Sequence, residues 1–353
     1  MATATLQLNG KSVEFEPGQT ILDVATESGV DIPTLCYLKG ATPTGACRMC
    51  VVEVTGARAL VAACTTPAAP NMEVWTDSER VRRARKLNIE LLLASGHHDC
   101  LTCEANGNCR LQDLAYDYEV THIPFPVTAQ PYPKEDDNPF IIRDFSRCIL
   151  CGRCVQACNE VVVNRAISYG YRGADSKIIA GTDQPYFESD CVFCGQCVEV
   201  CPVGALMEKK SRYQGRPWEL KKVRTTCPYC GVGCQMWVHV NSAGRIARVT
   251  AVEDGAPNKG RLCVKGRFGY DFIYSEDRLT DPMIKKGGSF HKVSWDEALD
   301  FVAGKLTDIK DKYGPDAIAG VSCARSINED SYQMQKFFRS VIETNNIDHC
   351  ART

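Results

Sequence analysis

Cysteine is the residue type with the clearest chemistry in this sequence. There are 21 cysteines in 353 residues, and most of them occur with C-x-x-C spacing, which places two thiolates on one metal centre. Thiolates are soft ligands that suit iron–sulfur clusters or zinc. A disulfide scaffold is typical of a short secreted chain, but this chain is long and Met1–Gly10 has no basic region followed by an apolar run. The cysteines therefore predict metal centres.

The first group of cysteines has the number of ligands that closes a two-iron cluster. Its members are Cys36, Cys47, Cys50 and Cys64. The tight loop from Cys47 to Cys50 follows small residues, Gly45 and Ala46, that let backbone amides approach the sulfides. A zinc knuckle is the alternative, and the wide spacing on either side of the loop favours the two-iron cluster.

The second group has only three cysteines, Cys100, Cys103 and Cys109, which cannot close a four-iron cluster alone. His97 and His98 lie just upstream, and an imidazole nitrogen can bind iron. Either histidine could be the fourth ligand, and the other would then be an exposed side chain.

The third group is a duplicated run that is typical of a bacterial two-cluster ferredoxin. In such a run the fourth cysteine binds the other cluster. One four-iron cluster is thus expected on Cys148, Cys151, Cys154 and Cys201, and another on Cys158, Cys191, Cys194 and Cys197. Asn159 stands where a proline usually follows the fourth cysteine of the first half.

The fourth group is Cys227, Cys230, Cys234 and, after a gap, Cys263. By itself this spacing suits either a zinc ribbon or a four-iron cluster. Cys323 and Cys350 remain outside the groups, and Cys323, which follows an apolar run, is most simply a buried core thiol.

Short secondary-structure elements must position the first two groups of cysteines. Alternating residues around Asn9-Gly10 predict a hairpin, and Thr20 with Asp23 predicts a capped helix that ends at Gly29. Ser78 should cap a second helix that runs to about Ser95. Five basic residues in the first half of that helix are expected to form a solvated face: Arg80, Arg82, Arg83, Arg85 and Lys86.

The second half of the chain changes character after Pro217. Short strands are expected at 238–240 and 246–249. A helix with one apolar face should begin at Ser294, and the apolar run 317–321 could be a buried parallel strand. Helix followed by strand indicates the start of an α/β domain.

Composition excludes several classes of protein. The net charge is −2, so no bulk attraction to nucleic acid or to an anionic membrane is implied. No run of about 18 apolar residues is present, so no transmembrane helix is expected. No export signal is recognisable, and a cytoplasmic location is the expectation.

These motifs together resemble known families over the whole chain. Residues 1–217 resemble the large iron–sulfur subunit of respiratory complex I and the N-termini of iron-only hydrogenases and of cytoplasmic formate dehydrogenases. Residues 227–234 and 261–266 resemble the cluster domain that opens molybdenum or tungsten pterin enzymes. The string at 344–353 closely resembles the catalytic subunit of formate dehydrogenases. We therefore expect the N-terminal part of the catalytic subunit of a cytoplasmic, NAD-linked formate dehydrogenase.

The resemblance implies roles for individual residues. The families carry a histidine four residues before the first cysteine of the second group, but Gly96 stands there, so the nearest histidine, His97, is expected as the ligand, with His98 as its rival. Lys265 would match the family's lysine between cluster and pterin, although an ordinary surface lysine is the alternative. Cys350 would not be a metal ligand.

The resemblance also implies a function for the full-length enzyme. Formate would be oxidised to CO2 at a molybdenum or tungsten ion held by two pterin guanine dinucleotides. One [2Fe-2S] and four [4Fe-4S] clusters would carry the electrons to partners, namely a flavin- and NAD-binding subunit and a small iron–sulfur subunit. The alternative is an iron–sulfur electron-transfer subunit without catalysis of its own, similar to those of complex I or hydrogenases.

The resulting fold class is α+β and multidomain. It comprises a β-grasp [2Fe-2S] ferredoxin, a domain for the histidine and three cysteines, a two-cluster ferredoxin, and the start of an α/β molybdopterin oxidoreductase domain. The expected boundaries are 1–78, 79–122, a proline-rich linker at 123–140, 141–218, 219–277 and 278–353.

The family's metal-binding cysteine or selenocysteine comes two residues after the arginine that matches Arg352, which places it directly after Thr353. Selenocysteine is encoded by UGA, which is ordinarily read as stop. We therefore expect a UGA codon after Thr353, followed by an in-frame continuation.

Iron analysis tests the ligand count. Nineteen cysteines and one histidine supply four ligands to each of five sites, which predicts about 18 iron atoms per chain after anaerobic reconstitution, from one two-iron and four four-iron clusters. Stoichiometric zinc, or about half that amount of iron, would contradict the assignment.

Overall fold

The computed structural model describes residues 4–350. The chain forms two compact units. The first extends to Lys221 and includes Val240–Arg248, and the second comprises Lys222–His239 and the residues from Val249 onward.

The first unit opens with a five-stranded sheet and one helix. The sheet has the order β2-β1-β5-β3-β4, in which β1 and β5 are parallel. Its elements are β1 (Ala4–Leu8), β2 (Lys11–Phe15), α1 (Ile21–Glu27), β3 (Val51–Val54), β4 (Val61–Ala62) and β5 (Glu73–Trp75). Apolar residues of the sheet and of α1 form one core, which also contains Cys50 and Cys64. The hydrophobic core therefore fixes two of the four thiols of the first group.

Local signals in this region are confirmed. Asn9 and Gly10 both have positive φ, 53° and 79°, as a two-residue hairpin turn with the twist of its strands requires. Thr20 and Asp23 form a reciprocal capping box at the start of α1. The helix ends at Glu27, and Gly29 lies beyond its cap with φ 74°.

Two helices follow the sheet, α2 (Glu79–Ala94) and α3 (Arg110–Asp117). Ser78 caps α2 as expected, with its hydroxyl accepting from the Val81 amide. The basic face of α2 is not uniformly solvated, because Arg85 is buried and donates to the Val51 carbonyl at 2.8 Å and to the Tyr118 hydroxyl at 3.1 Å. Arg85 therefore ties α2 to β3 and to the end of α3.

The duplicated cysteine run folds as two similar halves. In each half a short helix begins after a glycine with positive φ, namely Gly152 before α4 (Arg153–Gln156) and Gly195 before α5 (Gln196–Val200). Two antiparallel pairs complete the region: β6 (Ile141–Arg143) with β9 (Leu206–Glu208), and β7 (Ile167–Gly170) with β8 (Lys177–Ala180). Residues 123–140 form no helix or strand, as the prolines predict.

The remaining elements include a three-stranded sheet, two two-stranded sheets and three helices. The strands and helices are β10 (Lys221–Thr226), β11 (Gln235–Val240), β12 (Ile246–Ala251), α6 (Val264–Phe268), β13 (Met283–Lys286), β14 (Ser289–Lys292), α7 (Trp295–Tyr313), β15 (Gly320–Cys323), α8 (Asn328–Phe337) and β16 (Ile347–Cys350). The strands β15 and β16 are parallel, which agrees with the start of an α/β domain.

One expectation for this region is confirmed and another needs correction. Helix α7 begins directly after Ser294, as expected, and its apolar face is exposed, with Trp295 at 66%. The apolar run, in contrast, forms a strand from Gly320 rather than from Ala317, and Val321 is 76% exposed instead of buried. The reason is that the core of this region is a small cluster, Ile318, Phe338 and Ile342, among the residues that the structure describes.

Short helical turns connect these elements. The 3-10 turns are Phe145–Arg147, Gly173–Asp175, Tyr186–Glu188, Asp271–Tyr274 and Pro315–Ala317, and the π-helical turns are Ala157–Val161 and Phe338–Ile342. Between residues 4 and 350, no helix is both long enough and apolar enough to cross a membrane.

Candidate metal centres

The structure brings the four thiols of the first group together in the ferredoxin core. The Cys36 amide donates to the Cys47 sulfur at 3.4 Å, the Cys47 amide donates to the Cys36 sulfur at 3.5 Å, and the sulfurs of Cys50 and Cys64 are 3.3 Å apart. All four side chains are buried. Hydrogen bonds from the thiols of Cys47 and Cys64 lower the pKa of Cys36, so the pocket already favours a thiolate there.

The loop of the first group needs backbone conformations that few residues adopt. Gly45 has φ 62°, and a Cβ atom there would lie 3.3 Å from the Thr65 side chain. Arg48 has φ 57°. The loop is also held from a distance, because the Thr42 amide and hydroxyl both donate to the Glu160 carboxylate, at 2.7 and 2.8 Å.

The second group surrounds a small cavity. Cys100, Cys103 and Cys109 line it together with His98 and Gly204. Burial raises the pKa of Cys109 to about 11 and also raises that of Cys100. Burial thus disfavours the thiolate form of these two side chains, and a bound cluster would have to compensate for this cost.

The two histidines beside this cavity differ in environment. His97 is exposed and lines a wider pocket, which Cys100, Cys109 and His98 also line. The Nε2 atom of His98 is buried and has no hydrogen-bond partner, while the ring hydrogen-bonds to the backbone of Leu92. Burial lowers the pKa of His98, which leaves a neutral imidazole with a nitrogen lone pair free for a metal.

Gly96 explains why the family's usual histidine position is not used. A Cβ atom on Gly96 would lie 2.4 Å from the Ser146 carbonyl oxygen and 2.9 Å from the His98 Nε2 atom. Any side chain at position 96 would therefore collide with the backbone at Ser146 or displace the His98 ring.

Distant segments close the second cavity. Arg216 donates to the carbonyls of Cys103 and Leu101, at 2.5 and 3.1 Å. Gly204, which follows Cys201-Pro202, lies so close to the Cys103 sulfur that a Cβ atom at 204 would be 2.6 Å from it. The ferredoxin segment thus forms one wall of the neighbouring site, and no local pattern of residues predicts this contact.

The thiols of the third group lie in two sets. Cys148, Cys151, Cys154 and Cys201 line one cavity. Burial, with the Cys201 thiol as a further contribution, raises the pKa of Cys148 to about 11 and that of Cys151 to about 12. In the other set, burial raises the pKa of Cys191 and Cys197, and the thiols of Cys194 and Cys158 raise both further.

The fourth group lies in the second unit. The Cys227 amide donates to the Cys234 carbonyl at 2.8 Å. Burial raises the pKa of Cys227 and Cys234, and the nearby thiols of Cys230 and Cys263 add to this. The four thiols of the group therefore lie near one another. Lys265 is exposed on α6, two residues after Cys263.

The two cysteines outside the groups also meet. Cys323 and Cys350 are paired in register on β15 and β16, and their sulfurs are 3.4 Å apart. Cys323 is partly exposed, so it is not the buried core thiol that its position suggested. Arg352 and Thr353 lie outside the described residues.

These arrangements agree with the binding of clusters. Zinc would need each thiolate about 2.3 Å from one centre, whereas a four-iron cluster separates its ligands over four irons. The cavities lined by the thiols and the unpartnered His98 nitrogen agree with such a group, and Gly204 lets the backbone approach the Cys103 sulfur closely.

Five family models match successive parts of the chain. They describe a 2Fe-2S iron–sulfur cluster binding domain (2–79), an NADH-ubiquinone oxidoreductase-G iron–sulfur binding region (85–124), an NADH-quinone oxidoreductase subunit 3 ferredoxin-like domain (138–207), a molybdopterin oxidoreductase Fe4S4 domain (220–275) and a molybdopterin oxidoreductase (278–353). Successive parts of the chain therefore match iron–sulfur domain families and molybdopterin oxidoreductase domain families. These matches confirm the predicted fold class.

Curated relatives carry different names. The NADPH-Fe(3+) oxidoreductase subunit alpha of Geobacter sulfurreducens is 40% identical over 348 residues, covering 99% of this chain and 40% of that protein. An NADH-quinone oxidoreductase-G protein of Rhizobium meliloti is 40% identical, covering 98% and 40%. A Staphylococcus aureus protein with a provisional formate dehydrogenase name is 35% identical, covering 98% and 39%. The chain thus spans about 40% of the length of these relatives.

One solved structure has a similar fold. A chain in the crystal structure of an NAD+-reducing [NiFe]-hydrogenase in the H2-reduced state is 35% identical, with a TM-score of 0.56, and the match covers 61% of this chain and 91% of that chain. Residues 219–353 do not separate this chain from proteins named as NADH-quinone oxidoreductases, because the Rhizobium meliloti relative matches over 347 residues. The family models describe iron–sulfur and molybdopterin oxidoreductase domains.

The Gly204→Ala variant tests the shared wall of the second site. Its methyl group would overlap the Cys103 sulfur, so we expect the loss of one cluster and of about four irons per chain, measured by iron analysis and EPR. Gly304→Ala is the matched control, because a Cβ atom there meets nothing within 4 Å and alanine suits the middle of α7. Full iron loading of Gly204→Ala would show that the wall is not needed.

Proposed function

We propose that this chain is the iron–sulfur portion of a molybdopterin oxidoreductase of the NAD-linked formate dehydrogenase type. The observation that carries the electron-transfer part is the convergence of nineteen cysteines into separate sets, each with the ligand chemistry of a cluster. When bound, the clusters would supply one-electron transfer. Formate as substrate is supported by the string at 344–353 and by relatives with provisional formate dehydrogenase names.

The proposed domain order follows the boundaries expected from the sequence, at about 78, 122, 140, 218 and 277. Five clusters would be held by the ligand sets given above, and a molybdenum or tungsten bis-pterin would belong to the full-length enzyme. A flavin- and NAD-binding subunit and a small iron–sulfur subunit are the proposed partners, supported by the likeness to a chain of an NAD+-reducing hydrogenase. A selenocysteine at the metal and a cytoplasmic location stay predictions.

The protein's own residues would prepare the sites in two ways. Amide donors such as those of Cys36 and Cys47 point at sulfur, which stabilises negative charge on it and tunes the potential of a bound cluster. Burial around Cys148, Cys151 and Cys154 excludes water. Low exposure makes every nearby dipole and charge more effective, because the local dielectric is low.

For the second site we propose His98 rather than His97 as the fourth ligand. His98 has the buried, unpartnered Nε2 atom and lines the cavity of the three thiols, whereas His97 is exposed. A buried nitrogen without a partner costs about 1–3 kcal/mol, and a metal would remove that cost. The choice of His97 rested only on its nearness to the family's position.

Paired alanine variants distinguish the histidines. His98→Ala should change the EPR signal and potential of one four-iron cluster, because an imidazole ligand and a thiolate or water ligand give the cluster different charge. The other signals should stay in place, and His97→Ala is the control with little expected effect. If His97→Ala alters that cluster and His98→Ala does not, the assignment of His98 is wrong.

A reduction assay of the full-length protein with its pterin cofactor tests the substrate. Formate should reduce the clusters under anaerobic conditions, as seen in their visible absorbance.

The Lys265→Met variant should slow reduction by formate but not by dithionite, since Lys265 would lie between pterin and cluster. The control is the Lys222→Met variant, because Lys222 is another exposed lysine of the same unit. Reduction by NADH or NADPH without reduction by formate would favour the alternative, an electron-transfer subunit of a different oxidoreductase.

A further inference from the structure

Tyr186 is a buried tyrosine whose hydroxyl group has no hydrogen-bond partner. The side chain is 1% exposed, and its oxygen is fully shielded from water. Leaving a buried hydroxyl unsatisfied costs about 1–3 kcal/mol. Buried tyrosine hydroxyls usually form a hydrogen bond to an acceptor. The Tyr186 hydroxyl has no such acceptor among the protein atoms.

The cavity that Tyr186 lines is that of Cys148, Cys151, Cys154 and Cys201. Most other lining side chains are hydrocarbon, such as Ile149, Ile178 and Leu206. The one carboxylate on the wall, Asp144, is already engaged, since it accepts from the Ser146 hydroxyl at 2.6 Å and pairs with Arg147 at 3.5 Å. The sulfur atoms that line this cavity are therefore acceptors available to the phenol, and the Cys197 thiol of the neighbouring set also lies near Tyr186.

Arg143 holds the Tyr186 ring in place. Its guanidinium lies over the ring, 4.1 Å from the centroid, and 5.0 Å from the centroid of Phe145 on another side. Arg143 is 3% exposed, pairs with Glu135, and donates to the Ile178 carbonyl at 3.3 Å. A cation held between two aromatic rings in a dry site leaves the phenol little freedom to turn away.

We propose that the Tyr186 hydroxyl donates a hydrogen bond to a sulfur of the four-iron cluster held by Cys148, Cys151, Cys154 and Cys201, with Arg143 as the positioning residue. This inference rests on the proposed ligand assignment. A donor stabilises the additional negative charge of the reduced cluster, so it raises the reduction potential. The stacked arginine prevents the hydroxyl from leaving this position.

The test is a redox titration of the reconstituted chain followed by EPR, with the relevant signal identified from its change in a Cys148→Ser variant. Tyr186→Phe keeps the ring and removes the hydroxyl. We expect the equilibrium constant for one-electron reduction of that cluster to fall about three- to tenfold, which is a shift of about 28 to 59 mV to lower potential. The other clusters and the iron content should be unchanged.

Tyr171→Phe is the matched control. Tyr171 is exposed, and its hydroxyl already donates to the Asp183 carboxylate at 2.6 Å, so the same atom is removed without a shift in potential. Arg143→Lys keeps the charge but loses the planar stack. It should lower the potential of the same cluster when Tyr186 is present and have no effect in the Tyr186→Phe background.

The outcomes separate the inference from the proposed function. A fully loaded Tyr186→Phe protein with an unchanged potential, or with a shift only in the cluster of Cys158, Cys191, Cys194 and Cys197, would overturn the role of Tyr186. Failure of the unaltered chain to bind iron at Cys148, Cys151, Cys154 and Cys201 would instead overturn the ligand assignment.

Discussion

The cost of keeping sulfur ligands away from water is the constraint on which this structure depends. A thiolate is charged, and burial disfavours the charge, as the raised pKa values of Cys109, Cys148 and Cys151 show. A site can therefore be dry only if the bound group and nearby donors compensate for lost hydration. The protein meets this requirement with amide donors, tight glycine contacts and walls contributed by residues far apart in the chain.

This constraint explains why the sites are interleaved instead of lying in separate modules. Gly204 belongs to the ferredoxin run but touches Cys103 of the preceding site. Arg216 comes from the segment after that run and binds the backbone of Cys103 and Leu101. Glu160 accepts from Thr42 in the loop of the first group. Enclosing each set of thiols thus draws the neighbouring regions of the first unit together.

Sequence reasoning found what is encoded over a few residues. The Asn9-Gly10 hairpin, the Thr20 and Ser78 caps and the division of the duplicated cysteines all follow from local spacing. It could not find contacts between distant segments, such as Arg85 with Val51 or Gly204 with Cys103, because no local pattern encodes them. The exposed apolar face of α7 shows a second limit of prediction from sequence. Amphipathic spacing predicts that a helix has an apolar face, but it does not predict which part of the protein covers that face. The different environments of His97 and His98 likewise follow only from the three-dimensional structure of the cavity.

The proposed exchange of Cys158 and Cys201 between the two halves of the ferredoxin run has a consequence for assembly. Under this assignment each half would need one ligand from the other, so neither half could close its own site while the other is unfolded. The two halves should therefore behave as one cooperative unit, in which damage to one site also loosens the other. Oxidative loss of one cluster would then also destabilise the other cluster. Repair would require both clusters to be rebuilt.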